Sequence, residues 1–227
     1  MPAMLEERQR VAAAARRLAA DGLVTGTAGN VSARARELVA VTPTGARLQE
    51  VTPEQVAVVG LDGEQVGGEL APTSELDLHL RIYGRADAGA VVHTHSPFAT
   101  ALACVLDELP VVHYQMLALG GPIRVAPYAT FGTPELAELT LSALEGRRAA
   151  LMANHGAIAL GPDLDTAMEH ARLIEWASEL YWRAAAVGLP RTLGEAEQRA
   201  FLDELRRRNY GITRRTRGGP GGAPSTR

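Results

Sequence analysis

The hydrophobic and polar positions of this chain follow helical spacing in some stretches and extended spacing in others. Alanine, leucine and arginine recur with helical spacing from Met4 to Ala20, which predicts a helix that ends at Gly22. Three more helical patterns cover residues 74–83, 163–187 and 193–208. Two further helices are predicted to begin at Pro97 and Pro134, because proline suits the first position of a helix.

Short apolar runs between these helices predict strands. The predicted strands cover residues 37–42, 55–60, 88–95, 111–113, 123–126 and 149–160. The stretch Thr25–Ser32 is rich in glycine, threonine and serine, and its composition predicts turns. Because helices and strands mix without a strict strand–helix–strand rhythm, the pattern favours one α/β domain with a mixed, largely antiparallel sheet.

The composition is that of an ordinary globular protein. Of its 227 residues, 46% are hydrophobic and 22% are charged, and no apolar run approaches the roughly 20 residues of a membrane span. The N-terminal residues lack the basic-then-apolar pattern of a secretory signal. The single cysteine, Cys104, excludes an intrachain disulfide. We therefore expect a cytoplasmic protein.

The net charge of −3 is unevenly distributed. Residues 211–227 contain four arginines and no acidic residue, so the rest of the chain is more acidic than the total. Such an acidic body does not predict a nucleic-acid surface, and we expect neither nucleic acid nor a membrane as a partner. The arginine-, glycine- and proline-rich residues 213–227 predict a disordered tail after a single catalytic domain of residues 1–212.

The chain contains no lysine, since all 23 of its basic residues are arginine. Schiff-base catalysis needs a lysine amine. The phosphate-binding loop of P-loop nucleotide hydrolases also needs a lysine, and so does the cofactor site of pyridoxal-phosphate enzymes. The composition therefore excludes these classes of active site, and carbonyl chemistry must proceed by another route.

Two histidines are spaced to share a metal ion. His93 and His95 lie two residues apart in a predicted strand, so their side chains face the same side of a sheet. They could instead be a hydrogen-bonded pair of core histidines, but two buried imidazoles need a shared partner. The candidates for a third ligand are His79, His113, His155 and His170. Among these, His155 lies at the end of an apolar run, and three histidines would leave zinc the open position of a catalytic site.

Glu75 follows Pro72-Thr73-Ser74 and precedes an apolar helix. A carboxylate at this point of a helix often only complements the helix dipole. The alternative is a general base held beside the metal ion. Sequence spacing does not choose between the two.

Six segments occur in the order found in a known family. They are Gly26–Ser32 (GTAGNVS), Thr42–Gly45 (TPTG), Pro72–Glu75 (PTSE), Val92–His95 (VHTH), Ala126–Thr133 (APYATFGT) and Asn154–Gly156 (NHG). Together they resemble the class II aldolase/adducin family over residues 5–212. The resemblance implies a three-layer αβα domain and a zinc-dependent aldehyde-lyase. Such an enzyme reversibly cleaves a ketose 1-phosphate, such as L-fuculose 1-phosphate, to dihydroxyacetone phosphate and a small aldehyde such as L-lactaldehyde.

The resemblance also implies roles for individual residues. It assigns one Zn²⁺ per subunit to His93, His95 and His155, and the catalytic acid/base to Glu75. The residues that match the family's phosphate pocket are Asn30, Thr44, Gly45, Thr73 and Ser74, where Thr73 replaces a more usual serine. Tyr114 and Tyr210 match tyrosines that assist at the aldehyde end across a subunit boundary, which implies a homotetramer with sites near its interfaces.

Other activities occur within the same family. They are a pentulose-phosphate 4-epimerase, a methylthioribulose-1-phosphate dehydratase and an aldolase for a 5-deoxypentulose phosphate. Epimerases of this family tend to carry aspartate at the position of Glu75, which favours the aldolase. The adducin branch is structural, but a scaffold has no need for three metal ligands, a carboxylate and a phosphate pocket together.

Overall fold

The computed structural model of the chain describes residues 4–208, and within them the helices match the predicted ones. They are α1 Leu5–Ala20, α2 Leu76–Arg85, α3 Pro97–Ala103, α4 Pro134–Ala143, α5 Leu164–Val187 and α6 Glu195–Arg208. Short 3-10 helices cover Leu48–Glu50 and Tyr114–Leu119. None of the helices in this part of the chain is long and apolar enough to cross a membrane.

The strands of the same residues form one nine-stranded sheet. They are β1 Asn30–Ala35, β2 Leu38–Val41, β3 Ala57–Gly60, β4 Gln65–Gly67, β5 Ala90–Thr94, β6 Glu108–Leu109, β7 Ile123–Ala126, β8 Ala149–Met152 and β9 Gly156–Gly161. Their order in the sheet is β4-β3-β2-β1-β5-β9-β8-β7-β6. Only the β7–β8 pair is parallel, which confirms the predicted mixed, largely antiparallel sheet.

The helices cover the two faces of this sheet. Alternate residues of a strand point to opposite faces, and β5 shows this pattern, because Val92 packs in one hydrophobic cluster and Val91 in the other. The first cluster includes buried residues of α1, α3 and α5, and the second includes those of α2 and α4. The expected three-layer αβα architecture is therefore confirmed, and His93 faces the α2 side like Val91.

Two strand predictions were wrong for reasons visible in the structure. The predicted strand 111–113 does not form, because the neighbouring β6 ends at Leu109 and Pro110 has no backbone N–H for the ladder. The predicted strand 149–160 is two antiparallel strands, β8 and β9, which reverse at the turn 153–155.

The stretch Thr25–Ser32 was predicted as turns, but β1 begins within it at Asn30 and lies in the middle of the sheet. Its polar Asn30 and Ser32 are buried, 4% and 0% exposed, so the strand lacks the apolar signal that sequence patterns detect. The structure also adds β4, which the sequence pattern did not indicate. The predicted domain end at residue 212 and the tail 213–227 lie outside the described residues and stay predictions.

Candidate active site

Three histidines meet at the end of β5. His93 belongs to β5, His95 follows that strand directly, and His155 lies in the β8–β9 turn. Antiparallel pairing of β5 with β9, which aligns Thr94 with Ala157, carries this turn to the end of β5. The centroids of the three rings are 4.7–4.9 Å apart, and the rings meet edge to face.

A close backbone contact holds the β8–β9 turn against β5. A Cβ atom on Gly156 would lie 2.1 Å from the carbonyl oxygen of Thr94, so no side chain fits there. The preceding Asn154 has a φ of 55°, a left-handed conformation that asparagine tolerates better than most residues. On the β1 side, a Cβ on Gly29 would lie 2.9 Å from the carbonyl oxygen of His93. These small or permissive residues let two loops close around the histidines.

The histidine cluster fits a metal ion. One ring nitrogen from each of His93, His95 and His155 lies within 4.8 Å of the others, and the Nε2 atoms of His93 and His95 are 2.9 Å apart. Two nitrogens bound to one tetrahedral zinc at 2.0–2.1 Å lie about 3.4 Å apart, so small rotations bring the rings to that spacing. Among residues 4–208, this is the only such cluster of histidine, cysteine and carboxylate side chains.

The protonation of the rings suits them as ligands. The Nδ1–H of His93 donates to the carbonyl oxygen of Ala157 at 2.9 Å, which turns Nε2 toward the other histidines as the nitrogen available to a metal ion. Burial lowers the pKa of His95 to about 3 and that of His155 to about 4, and the neighbouring His93 adds to both shifts. Both rings are therefore uncharged at neutral pH, as metal ligation requires.

Glu75 lies beside these histidines, and the residue is 5% exposed. Its Oε2 accepts a hydrogen bond from Nδ2 of Asn30 at 2.9 Å and lies 3.2 Å from Nε2 of His93. Its Oε1 is buried without a hydrogen bond among the described residues and lies 3.5 Å from Nε2 of His155. Although Glu75 is the N-cap residue of α2, its side chain makes no capping hydrogen bond. The carboxylate thus faces the histidines and does not cap the helix, while its role as general base stays a prediction.

The carboxylate of Glu75 is ionised. Burial by itself would raise its pKa. The charge of His93 and hydrogen bonds from His93 and Asn30 outweigh burial, so the pKa of Glu75 is well below the ordinary carboxyl value. For His93, burial acts to lower the pKa, but the charge of Glu75 raises it overall. In the metal-free site each of the two groups therefore favours the charged form of the other, and the ionised carboxylate lies directly beside the histidine cluster.

A cavity of about 290 Å³ opens onto Glu75, His95 and His155. The five predicted phosphate-binding residues all line it: Asn30, Thr44, Gly45, Thr73 and Ser74. Two segments distant in sequence meet here because Thr73 N donates to the oxygen of Thr42, and Thr44 N donates to that of Ala71, both at 3.0 Å. The hydroxyls and amides of these segments therefore line one wall of the cavity.

Sequence reasoning assigned no role to four other residues of this cavity wall, which are Thr27, Asn154, Tyr128 and Phe131. Tyr128 and Phe131 are each 64% exposed, an unusual setting for large aromatic side chains. Gly132 follows them with a φ of +72° and lies against the carbonyl of Ser74, which fixes their loop beside the predicted phosphate segment. In the sequence, the segment Ala126–Thr133 is visible only as part of the family pattern.

The remaining histidines lie elsewhere. His79 is fully buried and bonds to Asn30 and Ser32, while Nδ1 of His170 bonds to the carbonyl oxygen of Leu160 at 2.6 Å. His113 accepts a hydrogen bond from the backbone N–H of Gln115. None of them joins the metal cluster of the described residues.

Of the two predicted tyrosines, the structure describes one. Tyr114 begins the second 3-10 helix, and its ring packs against His113 and against Phe201 of α6, with centroids 4.3 and 4.8 Å apart. It is not among the residues that line the cavity of its own chain. Tyr210 lies outside the described residues, and its role stays a prediction.

Comparison with known proteins agrees with this geometry. Residues 9–182 match the family described as Class II Aldolase and Adducin N-terminal domain. A 5-deoxy-D-ribulose 1-phosphate aldolase from Bacillus thuringiensis serovar kurstaki is 43% identical over 196 residues, which are 85% of this chain and 92% of the relative. A 5-methylthioribulose-1-phosphate/5-deoxyribulose-1-phosphate aldolase from Rhodospirillum rubrum is 41% identical over 195 residues, covering 85% and 88%.

The solved structure of an L-fuculose 1-phosphate aldolase superposes with a TM-score of 0.86 at 36% sequence identity. The match covers 90% of this chain and 98% of that one. The similarity therefore extends over most of the fold, and the family match to residues 9–182 includes the three histidines and Glu75.

Proposed function

This chain belongs to the class II aldolase and adducin family and is a lyase, and we propose that it is a zinc-dependent aldolase acting on a ketose 1-phosphate. It cleaves the C3–C4 bond reversibly to dihydroxyacetone phosphate and a small aldehyde. The observation that carries this proposal is the cluster of three histidines beside an ionised, buried Glu75, at a cavity lined by Glu75, His95 and His155. We further propose a cytoplasmic homotetramer with its sites near subunit interfaces.

In this proposal His93, His95 and His155 hold one Zn²⁺ through ring nitrogens. When bound, zinc supplies Lewis-acid stabilisation of the negative charge that develops as the C3–C4 bond breaks. The absence of lysine supports this route, because the alternative electron sink, a Schiff base, has no amine in this chain.

Glu75 moves the proton at C3 of the dihydroxyacetone phosphate fragment. In cleavage, the proton that the C4 hydroxyl releases as the aldehyde forms leaves at the aldehyde end of the pocket. Glu75 delivers to C3 of the remaining fragment a proton that it has taken up from solvent, so the number of protons is unchanged. In the reverse direction, the ionised carboxylate removes that C3 proton. Oε1 is the oxygen suited to this task, because Oε2 accepts the hydrogen bond from Asn30 while Oε1 has none among the described residues.

The cavity wall formed by the two threonine- and glycine-containing segments holds the substrate phosphate. Thr44, Thr73 and Ser74 offer hydroxyl donors, and Gly45 brings its backbone close without a side chain. Asn30 can serve both roles, since its amide nitrogen carries a second N–H besides the one that Glu75 accepts. Neutral donors of this kind bind phosphate without lysine.

The possible substrates differ in the part that becomes the aldehyde, so the end of the pocket that holds this part determines which substrate is used. Cleavage of L-fuculose 1-phosphate gives L-lactaldehyde, whereas cleavage of 5-deoxy-D-ribulose 1-phosphate gives acetaldehyde, and both give dihydroxyacetone phosphate. The named activities of the relatives include both substrates, and the exposed Tyr128 and Phe131 lie at the cavity of this chain. Tyr114 and Tyr210 act at this end from a neighbouring subunit.

The first experiment loads the purified protein with zinc and supplies L-fuculose 1-phosphate, 5-deoxy-D-ribulose 1-phosphate and 5-methylthio-D-ribulose 1-phosphate in turn. Dihydroxyacetone phosphate is followed by its NADH-dependent reduction, with and without a chelator. We expect release from at least one substrate, abolished by the chelator and restored by zinc. Release that survives complete metal removal contradicts the proposed mechanism. If the same protein, supplied with ribulose 5-phosphate, forms xylulose 5-phosphate but releases no dihydroxyacetone phosphate from any substrate, it is the epimerase instead.

A further inference from the structure

A line of buried polar groups runs from Glu75 into the core between β1 and α2. Nδ2 of Asn30 donates to Glu75, and Oδ1 of Asn30 lies 2.5 Å from Nε2 of His79. Nδ1 of His79 lies 2.7 Å from the hydroxyl of Ser32, which lies 2.7 Å from the hydroxyl of Tyr83. All five residues are 5% exposed or less.

The periodicity of helix α2 and of strand β1 places these groups side by side. Glu75, His79 and Tyr83 are four residues apart and lie on one stripe of α2 and its N-cap. Asn30 and Ser32 are two residues apart in β1, so their side chains share one face of the strand and point toward that stripe. The line is therefore built by regular structure, so its members hold fixed positions.

The chemistry of each group fixes the direction of the hydrogen bonds. Only the amide N–H of Asn30 can donate to a carboxylate, so its Oδ1 faces His79 and accepts from Nε2–H. Burial lowers the pKa of His79 to about 4, so the ring is neutral with one proton, and Nδ1 is an acceptor. Ser32 must then donate to Nδ1 of His79 and accept from Tyr83, whose pKa is raised by burial. Every donor in the line points toward Glu75.

We propose that His79 is a positioning residue for Glu75, acting through Asn30. Its Nε2–H fixes the amide of Asn30, and that amide fixes Oε2 of the carboxylate, which leaves Oε1 as the oxygen that exchanges the proton. Hydrogen bonds in such a line polarise one another, which strengthens the last one to the carboxylate. This inference rests on the proposed aldolase function, because it assigns His79 a part in the proton transfer by Glu75.

Two substitutions of similar chemistry test whether His79 positions Glu75 or only satisfies buried hydrogen-bonding groups in the core. In His79→Gln the side-chain amide can occupy the place of Nε2 and donate to Asn30. In His79→Asn the shorter amide can replace only Nδ1 and bond to Ser32, so the link to Asn30 is lost. We expect His79→Gln to keep most of the wild-type kcat, and His79→Asn to lose about tenfold to hundredfold in kcat with unchanged KM and zinc content.

Stability provides the necessary comparison, since each variant loses one hydrogen bond of the same buried line. Their urea midpoints should therefore agree with one another although their kcat values differ. Tyr83→Phe removes only the far end of the line and leaves the bond from His79 to Asn30 in place, so it should lose much less kcat than His79→Asn. Equal kcat for the Gln and Asn variants, or kcat loss that follows loss of stability, overturns the proposal.

A measurement without substrate keeps this inference separate from the proposed function. Long-range ¹H–¹⁵N spectra of the zinc-loaded protein with ¹⁵N-labelled histidine report the tautomer of each ring, and His79→Gln identifies the signal of His79. We expect a neutral ring protonated at Nε2, and protonation at Nδ1 overturns the direction of the line. If the wild type cleaves no ketose phosphate, the proposed function fails, while this spectrum still tests the line itself.

Discussion

Replacing Gly156 by alanine tests whether the close approach of two backbones positions a metal ligand. Gly156 begins β9 directly after His155, and a Cβ atom there would lie 2.1 Å from the carbonyl oxygen of Thr94. Real Cβ atoms essentially never approach another atom within 3.0 Å, so the turn and β5 must separate by about 1 Å. The shift falls on the backbone that carries His155.

Two effects follow from this displacement. Overpacking of this kind typically costs about 1–3 kcal/mol in the free energy of unfolding. A zinc ligand is held within roughly 0.2 Å of its ideal distance, so a shift of His155 by a large part of 1 Å weakens its bond to the ion. Because supporting residues of metal sites typically change affinity by about 10–100-fold, we expect the zinc dissociation constant to rise by that factor.

The assay combines urea unfolding of the metal-free protein with a competitive zinc titration of the folded protein. Gly84→Ala is the matched control, since a Cβ on Gly84 in α2 meets nothing within 4 Å. Alanine is a better helix residue than glycine, so this control should gain about 0.5–1 kcal/mol and bind zinc like the wild type.

The result for Gly156→Ala can refute the reasoning in two ways. Unchanged stability would show that the contact with Thr94 relaxes without cost. Lower stability with the zinc affinity of the wild type would show that the contact supports the sheet but does not position His155.

Three further predictions concern single side chains. Glu75→Gln should keep zinc and lose about 10²–10⁴-fold in kcat in the coupled assay, and full turnover would contradict its role as the base. His155→Ala should lower the zinc content of the purified protein, whereas His170→Ala, which loses only a bond to a backbone carbonyl, should not; equal losses would contradict the ligand assignment. Burial lowers the pKa of His79 from 6.5 to about 4, so the unfolded chain binds its proton first on acidification. Protonation of His79 should therefore cost the metal-free protein roughly 3 kcal/mol in the free energy of unfolding between pH 6.5 and pH 4. The variant His79→Gln should not show this loss, as urea unfolding across this pH range would test. Parallel stability profiles for the two proteins would contradict it.

Most of the elements could be predicted from the sequence because their signals are local. The apolar spacing of residues 163–187 predicts α5 almost to its ends, and the proline at position 134 marks the first residue of α4. The strand 88–95 was recognised from a continuous apolar run and appears as β5 at the centre of the sheet. Local periodicity is sufficient where one face of an element is apolar.

The sequence failed where buried positions are polar. In β1, Asn30 and Ser32 look like turn residues, yet each is buried and satisfied by groups on α2. The cost of burying them is offset only by hydrogen bonds to residues more than 40 positions away. No local pattern contains those partners, so the strand and its buried line were found only in the structure.

By itself, the sequence predicted that the side chains of His93 and His95 converge, although His95 lies just beyond the end of β5. It also determined that no lysine is available and that the ordered segments are those of the class II aldolase and adducin family. Tertiary structure decided that His155 completes the cluster, through the pairing of β5 with β9. It also decided that Glu75 faces the histidines instead of capping α2. The reason is physical, because burial, charge and hydrogen bonding at this site arise between residues that only the folded sheet brings together.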